Sequence, residues 1–338
     1  MKRYLIDDPT SFKNLRMEEL DAPRPLRGQV LVRMRAASLN YRDLLIATGR
    51  YRLVEEVKQA FVPLSDGAGE VVENGVDAQK FKPGARVAIT FVPGLVHGNV
   101  TRDRLGALRG FPTDGVLSEY QVFEEEDLVK LPDEISFEEG ACLPCAGVTA
   151  WNSLFCGPQP LLPGQTVLTI GTGGVSVLAL QLARAAGARV IITSSSDAKL
   201  ERMRALGSWE GINYRTHPEW QEEVLRLTGG VGVDHAVESG GPGTLARSVA
   251  STRFGGSIGM IGVLVQGEIN PIGIMHQGLA MRSVLTGSRA MLEDLVKAVA
   301  NTGLHPVIDR TFPFAEAVSA YVCLQAAGHV GKIVITIG

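Results

Sequence analysis

Hydrophobic and polar positions follow two different patterns along this chain, and the change falls near residue 145. Before it, short apolar runs such as residues 29–34 and 86–91 are bounded by Gly and Pro. Runs of this length between turn residues predict β-strands. Residues 94–115 mix Gly, Arg and Asp without a clear period, so we expect a long surface loop or lobe there.

After residue 145, apolar runs of strand length alternate with longer helical stretches. Residues 165–170 predict a buried strand, residues 177–186 an apolar helix, and residues 188–193 the next strand. The alternation continues through residues 232–238 and 256–262. This order predicts right-handed βαβ crossovers and a parallel sheet, and therefore an α/β fold.

Length and composition narrow the class of protein. A chain of 338 residues favours two domains, and 45% apolar with 20% charged residues is ordinary for a soluble globular protein. The net charge of -3 gives no electrostatic reason to expect nucleic acid or an anionic membrane as a partner. No signal peptide and no run of about 18 apolar residues is present, so we expect a cytoplasmic protein without a membrane span.

The four cysteines, Cys142, Cys145, Cys156 and Cys323, are too few and too scattered for a disulfide framework. Their number favours a reducing compartment. Cys142 and Cys145 form a C-x-x-C, but no second pair exists to complete a structural zinc site.

A glycine-rich loop, Gly171-Thr172-Gly173-Gly174-Val175, lies between the strand at residues 165–170 and the next helix. In that context the G-x-G pattern indicates a dinucleotide site. Gly171 allows a tight turn, Gly173 allows close approach of a pyrophosphate, and the helix N-terminus offers N–H groups to the phosphates. Ser176 takes the position of the usual third glycine. The pattern predicts a Rossmann domain, with a glycine-rich turn that binds no ligand as the alternative.

The residues after the second strand of the Rossmann pattern, at 188–193, bear on whether the cofactor is NADP or NAD. An NAD-preferring Rossmann domain carries an acid there for the ribose 2′-hydroxyl, whereas this chain has Ser194, Ser195 and Ser196. Hydroxyls can donate to a 2′-phosphate that a carboxylate would repel. The serines also suit a helix entry capped by Ser196 or Asp197, and both roles can hold at once. We predict NADPH as the cofactor, with further candidate contacts from Lys199, Tyr214 and Arg215.

Motifs over nearly the whole chain carry a resemblance to a known family. They are SLNYRD at residues 38–43, PLSDGAGEV at 63–71, FKPG at 81–84, AGVTAW at 146–151, the glycine loop, GSWEGINY at 207–214 and GK at 331–332. Together they resemble the medium-chain dehydrogenase/reductase superfamily. The resemblance implies a GroES-like, β-rich catalytic domain at residues 1–145, a doubly wound Rossmann domain at 146–290 and a return to the catalytic domain at 291–338. It also implies an active site in the cleft between the two domains.

The resemblance raises the question of zinc. Zinc alcohol dehydrogenases of the superfamily hold the catalytic metal with Cys, a His followed by Glu, and a second Cys. At the matching positions this chain has Asn40, Ser65 with Asp66, and Cys145. One thiolate without a second strong ligand does not make a tetrahedral zinc site. Because the four cysteines of the family's structural zinc lobe are also absent from residues 94–115, we expect no metal.

Zinc-free members that resemble this chain include quinone oxidoreductases of the zeta-crystallin type and enone or enoyl reductases. The likeness implies hydride transfer from NADPH to a quinone or an α,β-unsaturated carbonyl. Such acceptors need orientation more than a Lewis acid. Two alternatives stay open: alcohol dehydrogenase activity on alcohols or aldehydes, and a non-catalytic, NADPH-binding protein like the eye-lens crystallins of the family.

The resemblance also suggests residues that contact the substrate. Asn40 and Tyr51 are candidate donors to a substrate oxygen, with a structural turn and a packing role as their respective alternatives. Asp43, together with Arg42, would lock the local loop or contact the nicotinamide ribose.

Further residues are expected at the cofactor by the same likeness. Thr149 and Val175 would lie near the nicotinamide and pyrophosphate, and Gly262 and Val263 near the carboxamide. Lys332 would reach the cofactor from the catalytic domain, unless it is a surface lysine that opens a strand. Residues 283–287 are interpreted as an exposed edge strand of the Rossmann sheet, which would pair with a symmetry mate, so we expect a homodimer.

Overall fold

The computed structural model describes residues 1–51, 60–262, 267–268 and 270–338, and it separates into two compact units. Unit 1 contains Met1–Val148 and Thr286–Gly338, and unit 2 contains Thr149–Leu285. Unit 2 is therefore inserted within the sequence of unit 1. Within the described ranges, no helix has both the length and the apolar character that crossing a membrane requires.

The elements follow one another in the order that the sequence patterns predict. The strands are β1 (Lys2–Ile6), β2 (Leu15–Glu19), β3 (Gln29–Leu39), β4 (Asp66–Asn74), β5 (Arg86–Ile89), β6 (Tyr120–Glu124), β7 (Leu128–Lys130), β8 (Thr166–Thr169), β9 (Arg189–Ser194), β10 (Glu210–Asn213), β11 (Val233–Glu238), β12 (Thr252–Met260), β13 (Ala280–Ser283), β14 (Ile308–Pro313) and β15 (Lys332–Thr336). The α-helices are α1 (Tyr41–Ala47), α2 (Phe137–Gly140), α3 (Val148–Phe155), α4 (Gly174–Ala185), α5 (Asp197–Ala205), α6 (Trp220–Leu227), α7 (Pro242–Ser251), α8 (Pro271–His276), α9 (Arg289–Thr302) and α10 (Ala317–Gln325).

A mixed sheet forms the body of unit 1. Its strands run in the order β14–β15–β3–β4–β5–β7, and β6 pairs with the first half of β3. The C-terminal strand β15 lies antiparallel to β3, which returns the end of the chain to the N-terminal domain. Alternate residues of β3, Val30, Val32 and Met34, are buried in the same core as Ile333 and Ile335 of β15.

A six-stranded sheet forms the body of unit 2, and every pairing in it is parallel, in the order β10–β9–β8–β11–β12–β13. This confirms the predicted α/β class with a Rossmann-type parallel sheet. The chain proceeds outward in one direction from β8 and in the other from β11. Ligands of such sheets bind where the order reverses, at the carboxyl ends of the strands. This point lies between β8 and β11, where the glycine loop begins.

The edge of this sheet differs from the prediction in one respect. The edge strand is β13, Ala280–Ser283, and not residues 283–287. Thr286 has a φ of 50°, in the left-handed region, so the chain has left the extended conformation there.

The segment predicted as a loop or lobe, residues 94–115, is anchored by a buried ion pair. Arg109 donates to the carbonyl of Thr90 at 3.0 Å and to Asp127 Oδ2 at 3.2 Å, and Asp127 Oδ1 accepts from the N–H of Gly94 at 2.7 Å. A small apolar cluster, which includes Leu95 and Leu108, packs beside it. Charge pairing and apolar packing therefore hold residues 94–115 against the rest of unit 1.

Candidate active site

The glycine loop starts α4 at the carboxyl edge of the unit 2 sheet. Gly171 has a φ of 76°, which glycine adopts without strain, and its N–H donates to Thr193 Oγ1 at 3.1 Å. Gly173 is the N-cap of α4 and, as a glycine, brings no side chain that could cap this helix. A Cβ placed on Gly171 or Gly173 would have no heavy atom of the described residues within 4 Å. Open space therefore lies in front of an uncapped helix N-terminus, as a pyrophosphate requires.

Two hydroxyls hold the carbonyl of Ile170, the residue before the loop. Ser176 Oγ donates to it at 2.7 Å and Ser239 Oγ at 2.5 Å, and the two hydroxyl oxygens are 3.1 Å apart. Ser176 thus contributes a hydrogen bond where a third glycine would contribute only space. The sequence patterns did not single out Ser239, although its place directly after β11, at the strand-order reversal, is a signal that could have found it.

Glu238, the last residue of β11, is a fully buried carboxylate that sequence reasoning also missed. Its Oε1 accepts from the N–H groups of Gly240 at 2.8 Å and Gly241 at 3.0 Å, and from Thr244 Oγ1 at 2.7 Å. Its Oε2 accepts from Ser248 Oγ. These bonds fix the turn that carries the hydroxyl of residue 239 against the glycine loop.

The serine run after β9 divides its roles. Ser194 is buried, its Oγ lies 3.4 Å from the N–H of Ser196, and its carbonyl accepts from the N–H of Tyr214 at 3.0 Å. Ser195 is half-buried, as is Lys199, whereas Tyr214 is exposed. Ser196 is the N-cap of α5, and its Oγ accepts from the N–H of Lys199 at 3.4 Å. The capping role expected for this run is therefore present.

The first acid after β9 is occupied by a neighbouring side chain. Asp197 Oδ1 accepts from Asn213 Nδ2 at 2.8 Å. Asp197 opens α5, where a carboxylate favours the positive end of the helix dipole. This carboxylate thus has a structural partner one strand away.

The other unit 2 residues expected at the cofactor differ in how deeply they are buried. Thr172 and Thr149 are buried, and Val175 is half-buried in the first turn of α4 with Gly174. A Cβ on Gly262 would collide with the carbonyl of Ser239, so no larger residue fits there. Val263 lies outside the described residues.

In unit 1, Asn40 and Asp43 close the first turn of α1. Asn40 is the N-cap, and its N–H donates to Asp43 Oδ2 at 2.7 Å, while the N–H of Asp43 donates to the Asn40 carbonyl at 3.0 Å. This reciprocal pair satisfies two donors at the helix start. The loop-fixing role expected for Asp43 is thus visible, and the side-chain amide of Asn40 remains for other contacts.

That amide belongs to a polar cluster, which consists of Asn40, Arg42, Asp43, Ser65, Asp66, Cys145 and Lys332. The ammonium of Lys332 donates to Asn40 Oδ1 at 2.6 Å and lies 3.7 Å from Asp66 Oδ2. Asp66 also accepts from Ser65 Oγ at 2.9 Å and from the N–H of Cys145 at 3.2 Å. Cys145 stands in a π-helical turn, Leu143–Gly147, whose first amides need such an acceptor.

Arg42 links this cluster to Tyr51. Its guanidinium donates to the carbonyls of Arg109 at 2.9 Å and Phe111 at 3.1 Å, and lies 5.2 Å from the centre of the Tyr51 ring. It also lies 3.5 Å from Asp43 Oδ1. The half-buried Tyr51 packs edge-on against Phe111 at 6.4 Å, so its ring has a packing role.

Burial sets the protonation of this cluster. It raises the pKa of Asp43 to about 6, against the opposing charge of Arg42. It also raises the pKa of Asp66, which the ammonium of Lys332 opposes. Burial, reinforced by the Asp66 carboxylate, raises the pKa of the Cys145 thiol above its ordinary value.

The residues at this position do not suit zinc. A catalytic zinc site takes three protein ligands of the Cys, His or carboxylate type, whereas the matching positions offer an amide, a hydroxyl, one thiol and a carboxylate that is paired with Lys332. Across the described part of the chain, no group of three or more His, Cys, Asp or Glu is arranged to hold a metal ion.

Fold and motifs define the class of protein. The family model described as the alcohol dehydrogenase GroES-like domain matches residues 26–133, and the one described as zinc-binding dehydrogenase matches residues 174–301. The chain belongs to the medium-chain dehydrogenase/reductase superfamily of oxidoreductases, as the sequence motifs predicted.

Individual relatives show what the chain is similar to. A zinc-type alcohol dehydrogenase-like protein of Schizosaccharomyces pombe is 41% identical, with 99% of each chain covered. A structure from Sinorhizobium meliloti 1021, provisionally assigned as an alcohol dehydrogenase, is 37% identical over 99% of this chain and 98% of its own, with a TM-score of 0.92.

Two further relatives carry reductase names. The quinone oxidoreductase of Coxiella burnetii is 26% identical over 100% of this chain and 99% of its own, with a TM-score of 0.81. The 2-methylene-furan-3-one reductase of Solanum lycopersicum is 29% identical over 99% of this chain and 79% of its own.

Proposed function

We propose that this protein is an NADPH-dependent oxidoreductase that transfers hydride to a quinone or an α,β-unsaturated carbonyl without catalytic zinc. The observation that carries the proposal is the polar cluster, in which Asn40 and Ser65 stand where the family's zinc enzymes need ligands. An acceptor of this class is already electrophilic, so a hydrogen-bond donor at its oxygen suffices. The Coxiella burnetii quinone oxidoreductase and the tomato reductase support this class of acceptor.

The cofactor assignment rests on the carboxyl edge of the unit 2 sheet. The open space at Gly171 and Gly173 fits a pyrophosphate at the N-terminus of α4. At the end of β9 stand Ser194 and Ser195 in place of an acid, while Asp197 is bound by Asn213. We assign the 2′-phosphate of NADPH to these serines, with Lys199 and Tyr214 beside them.

Hydride donation is the chemistry that the dihydronicotinamide supplies when it is bound. The polar cluster then has one task, which is to hold the acceptor's oxygen as negative charge develops on it. Asn40 offers an amide N–H for this purpose, and Tyr51 offers a hydroxyl. Asp43 keeps α1, and with it Asn40, in position through the reciprocal bonds at the helix start.

The experiment is an acceptor panel on the purified protein, with NADPH oxidation followed against quinones, enones and aldehydes. We expect turnover of quinones or enones, tighter binding of NADPH than of NADH, and no zinc by elemental analysis. Aldehyde reduction with about one zinc per chain would contradict the proposal.

A zinc-independent or zinc-dependent alcohol dehydrogenase is the second candidate. It is favoured by the names of the relatives at 41% and 37% identity. The same panel separates it, because alcohol oxidation or aldehyde reduction would then exceed quinone and enone reduction. Tight NADPH binding with no turnover on any acceptor would favour the non-catalytic, crystallin-like role.

We also propose a homodimer formed through the edge strand β13. Among the described strands it pairs with β12 alone, which leaves its outer backbone groups as the surface that would pair with a second copy. Light scattering is expected to give twice the chain mass of 36.1 kDa, and a mass near 36.1 kDa would contradict the proposal.

A further inference from the structure

Lys332 is a buried lysine, with 2% of its surface exposed at the start of β15. Lysine is almost never fully buried unless it is paired. Its ammonium donates to the carbonyl of Leu39 at 2.7 Å and to Asn40 Oδ1 at 2.6 Å, and it lies 3.7 Å from Asp66 Oδ2. Two of its three N–H groups therefore have hydrogen-bond acceptors in unit 1, and the Asp66 carboxylate compensates the charge as an ion pair.

The register of the unit 1 sheet creates this contact across 292 positions of sequence. β15 pairs antiparallel with β3, and Ile333 is the partner of Leu39. Lys332 therefore lies beside the point where β3 ends and Asn40 forms the N-cap of α1.

The contact fixes the orientation of the Asn40 amide. Ammonium donates hydrogen bonds and accepts none, so the amide atom that faces it must be the oxygen. The amide nitrogen then faces Ser65 Oγ, 3.5 Å away in a long and weak hydrogen bond, and the Asp66 carboxylate, which also accepts from the Asn40 side chain. Both N–H groups of Nδ2 thus have partners within the cluster, and because Asn40 is only half-buried, a ligand's oxygen can replace one of them as acceptor.

We propose that Lys332 is a positioning residue that acts on the substrate through Asn40. Its ammonium holds the amide with the N–H groups towards the acceptor's oxygen, and Asp66 holds the ammonium. A hydrogen bond to the amide oxygen also polarises the amide and strengthens its N–H donors. The Lys332 ammonium therefore supplies a positive charge directly next to the donor residue Asn40, in a cluster that lacks the ligands of a metal ion.

This inference rests on the proposed function, in which Asn40 donates to the oxygen of an enone. In that reaction a C–H bond of the dihydronicotinamide breaks and a C–H bond forms at the acceptor's β-carbon. The π electrons shift to the carbonyl oxygen, and a solvent proton completes the α-carbon. The charge that develops on the oxygen is what the polarised amide stabilises.

The test is a double-mutant cycle that asks whether Lys332 and Asn40 act as one unit. Lys332→Met alone would leave the Asp66 carboxylate buried and unpaired, so Lys332→Met is combined with Asp66→Asn. Asn40→Ala is then made in the wild type and in this neutral background. The matched control is Lys297→Met with Asp294→Asn, an exposed pair on α9 with an N···O distance of 3.3 Å.

We expect the neutral variant to lower kcat for enone reduction by roughly tenfold or more, while the Kd for NADPH changes less than about twofold. Asn40→Ala should then cost little more in the neutral background, and the control pair should match the wild type. Lys332→Arg, which keeps the cation but displaces it, should also lower kcat with an unchanged Kd. This variant keeps the test decisive if the neutral one does not fold.

Two results would overturn the inference. Additive losses from Asn40→Ala in the two backgrounds would show that the residues act separately, and a Kd for NADPH that weakens in step with kcat would show that Lys332 contacts the cofactor. Either result in an active wild type overturns the inference alone. No enone or quinone turnover by the wild type overturns the proposed function, and the inference with it.

Discussion

Gly173→Ala separates the role of the glycine loop in folding from its role in binding. The φ of -77° and ψ of 179° at Gly173 are accessible to any residue, so the new methyl group brings no backbone strain. A Cβ at this position meets no heavy atom within 4 Å in the part of the protein that the structure describes. The methyl group would instead occupy the space that we assign to the pyrophosphate.

We expect this variant to change stability little and NADPH affinity strongly. Loss of unfolded-chain entropy stabilises a Gly-to-Ala variant by about 0.4–1 kcal/mol, whereas alanine is a poorer N-cap than glycine by a similar amount. We therefore expect the free energy of unfolding to change by less than about 0.5 kcal/mol. The Kd for NADPH should rise at least tenfold, or about 1.4 kcal/mol, because the phosphates must move away from the helix N-terminus.

The assay combines fluorescence titration with NADPH and urea unfolding of the same preparations. Gly328→Ala is the matched control, because a Cβ there also meets no heavy atom within 4 Å and the site lies in unit 1. Gly171→Ala is a contrasting variant, since a φ of 76° makes alanine strained and should lower stability by about 1 kcal/mol. Unchanged NADPH affinity in a stable Gly173→Ala protein would refute the assignment of this loop to the pyrophosphate.

Two further predictions concern buried carboxylates. Glu238→Ala removes the acceptor of two N–H groups and two hydroxyls and should destabilise unit 2 by roughly 3–5 kcal/mol, whereas Glu238→Gln, which keeps Oε1, should cost about 1 kcal/mol in urea unfolding. Equal costs would contradict the hydrogen-bond account. Burial raises the pKa of Asp43 from 3.8 to about 6, so the neutral carboxyl's stabilising contribution is complete below pH 3.8 and is lost as pH rises through 6. The unfolding free energy of the wild type relative to Asp43→Asn should therefore fall by up to about 3 kcal/mol between pH 4 and 7, and a constant difference would contradict the raised pKa.

The unit 2 site was predictable because its information is local. A strand, a glycine loop and a helix follow one another within some twenty residues, and they carry the backbone N–H groups that we assign to the pyrophosphate. Ser176 illustrates the limit of such reasoning, since its hydroxyl bond to Ile170 depends on how α4 packs on β8. The edge strand β13 was misplaced because apolar residues continue past Ser283, while the left-handed turn at Thr286 has no clear signature in sequence.

The unit 1 cluster was predictable only as a set of positions. Asn40, Ser65 and Cys145 could be matched to the family's zinc ligands, but nothing local to Lys332 shows that its ammonium binds Asn40. That contact follows from the register of β15 against β3, which the whole unit 1 core determines. Likewise, the sequence shows Glu238 only as the polar last residue of a buried strand. Two of its hydrogen-bond donors come from α7, and the fold alone brings them to the carboxylate.

The two sites are therefore expected to respond differently to substitution. At Gly173 the unit 2 site offers an unstrained backbone with no described heavy atom near a Cβ, so a change there is expected to alter affinity with little effect on stability. The unit 1 site contains two cations and two carboxylates, Arg42, Lys332, Asp43 and Asp66, which compensate one another in a buried environment. Removing one of them leaves a partner charged and unpaired, so activity and stability fall together. Charge-neutral pairs of substitutions are therefore the variants that can measure the chemistry of unit 1 by itself.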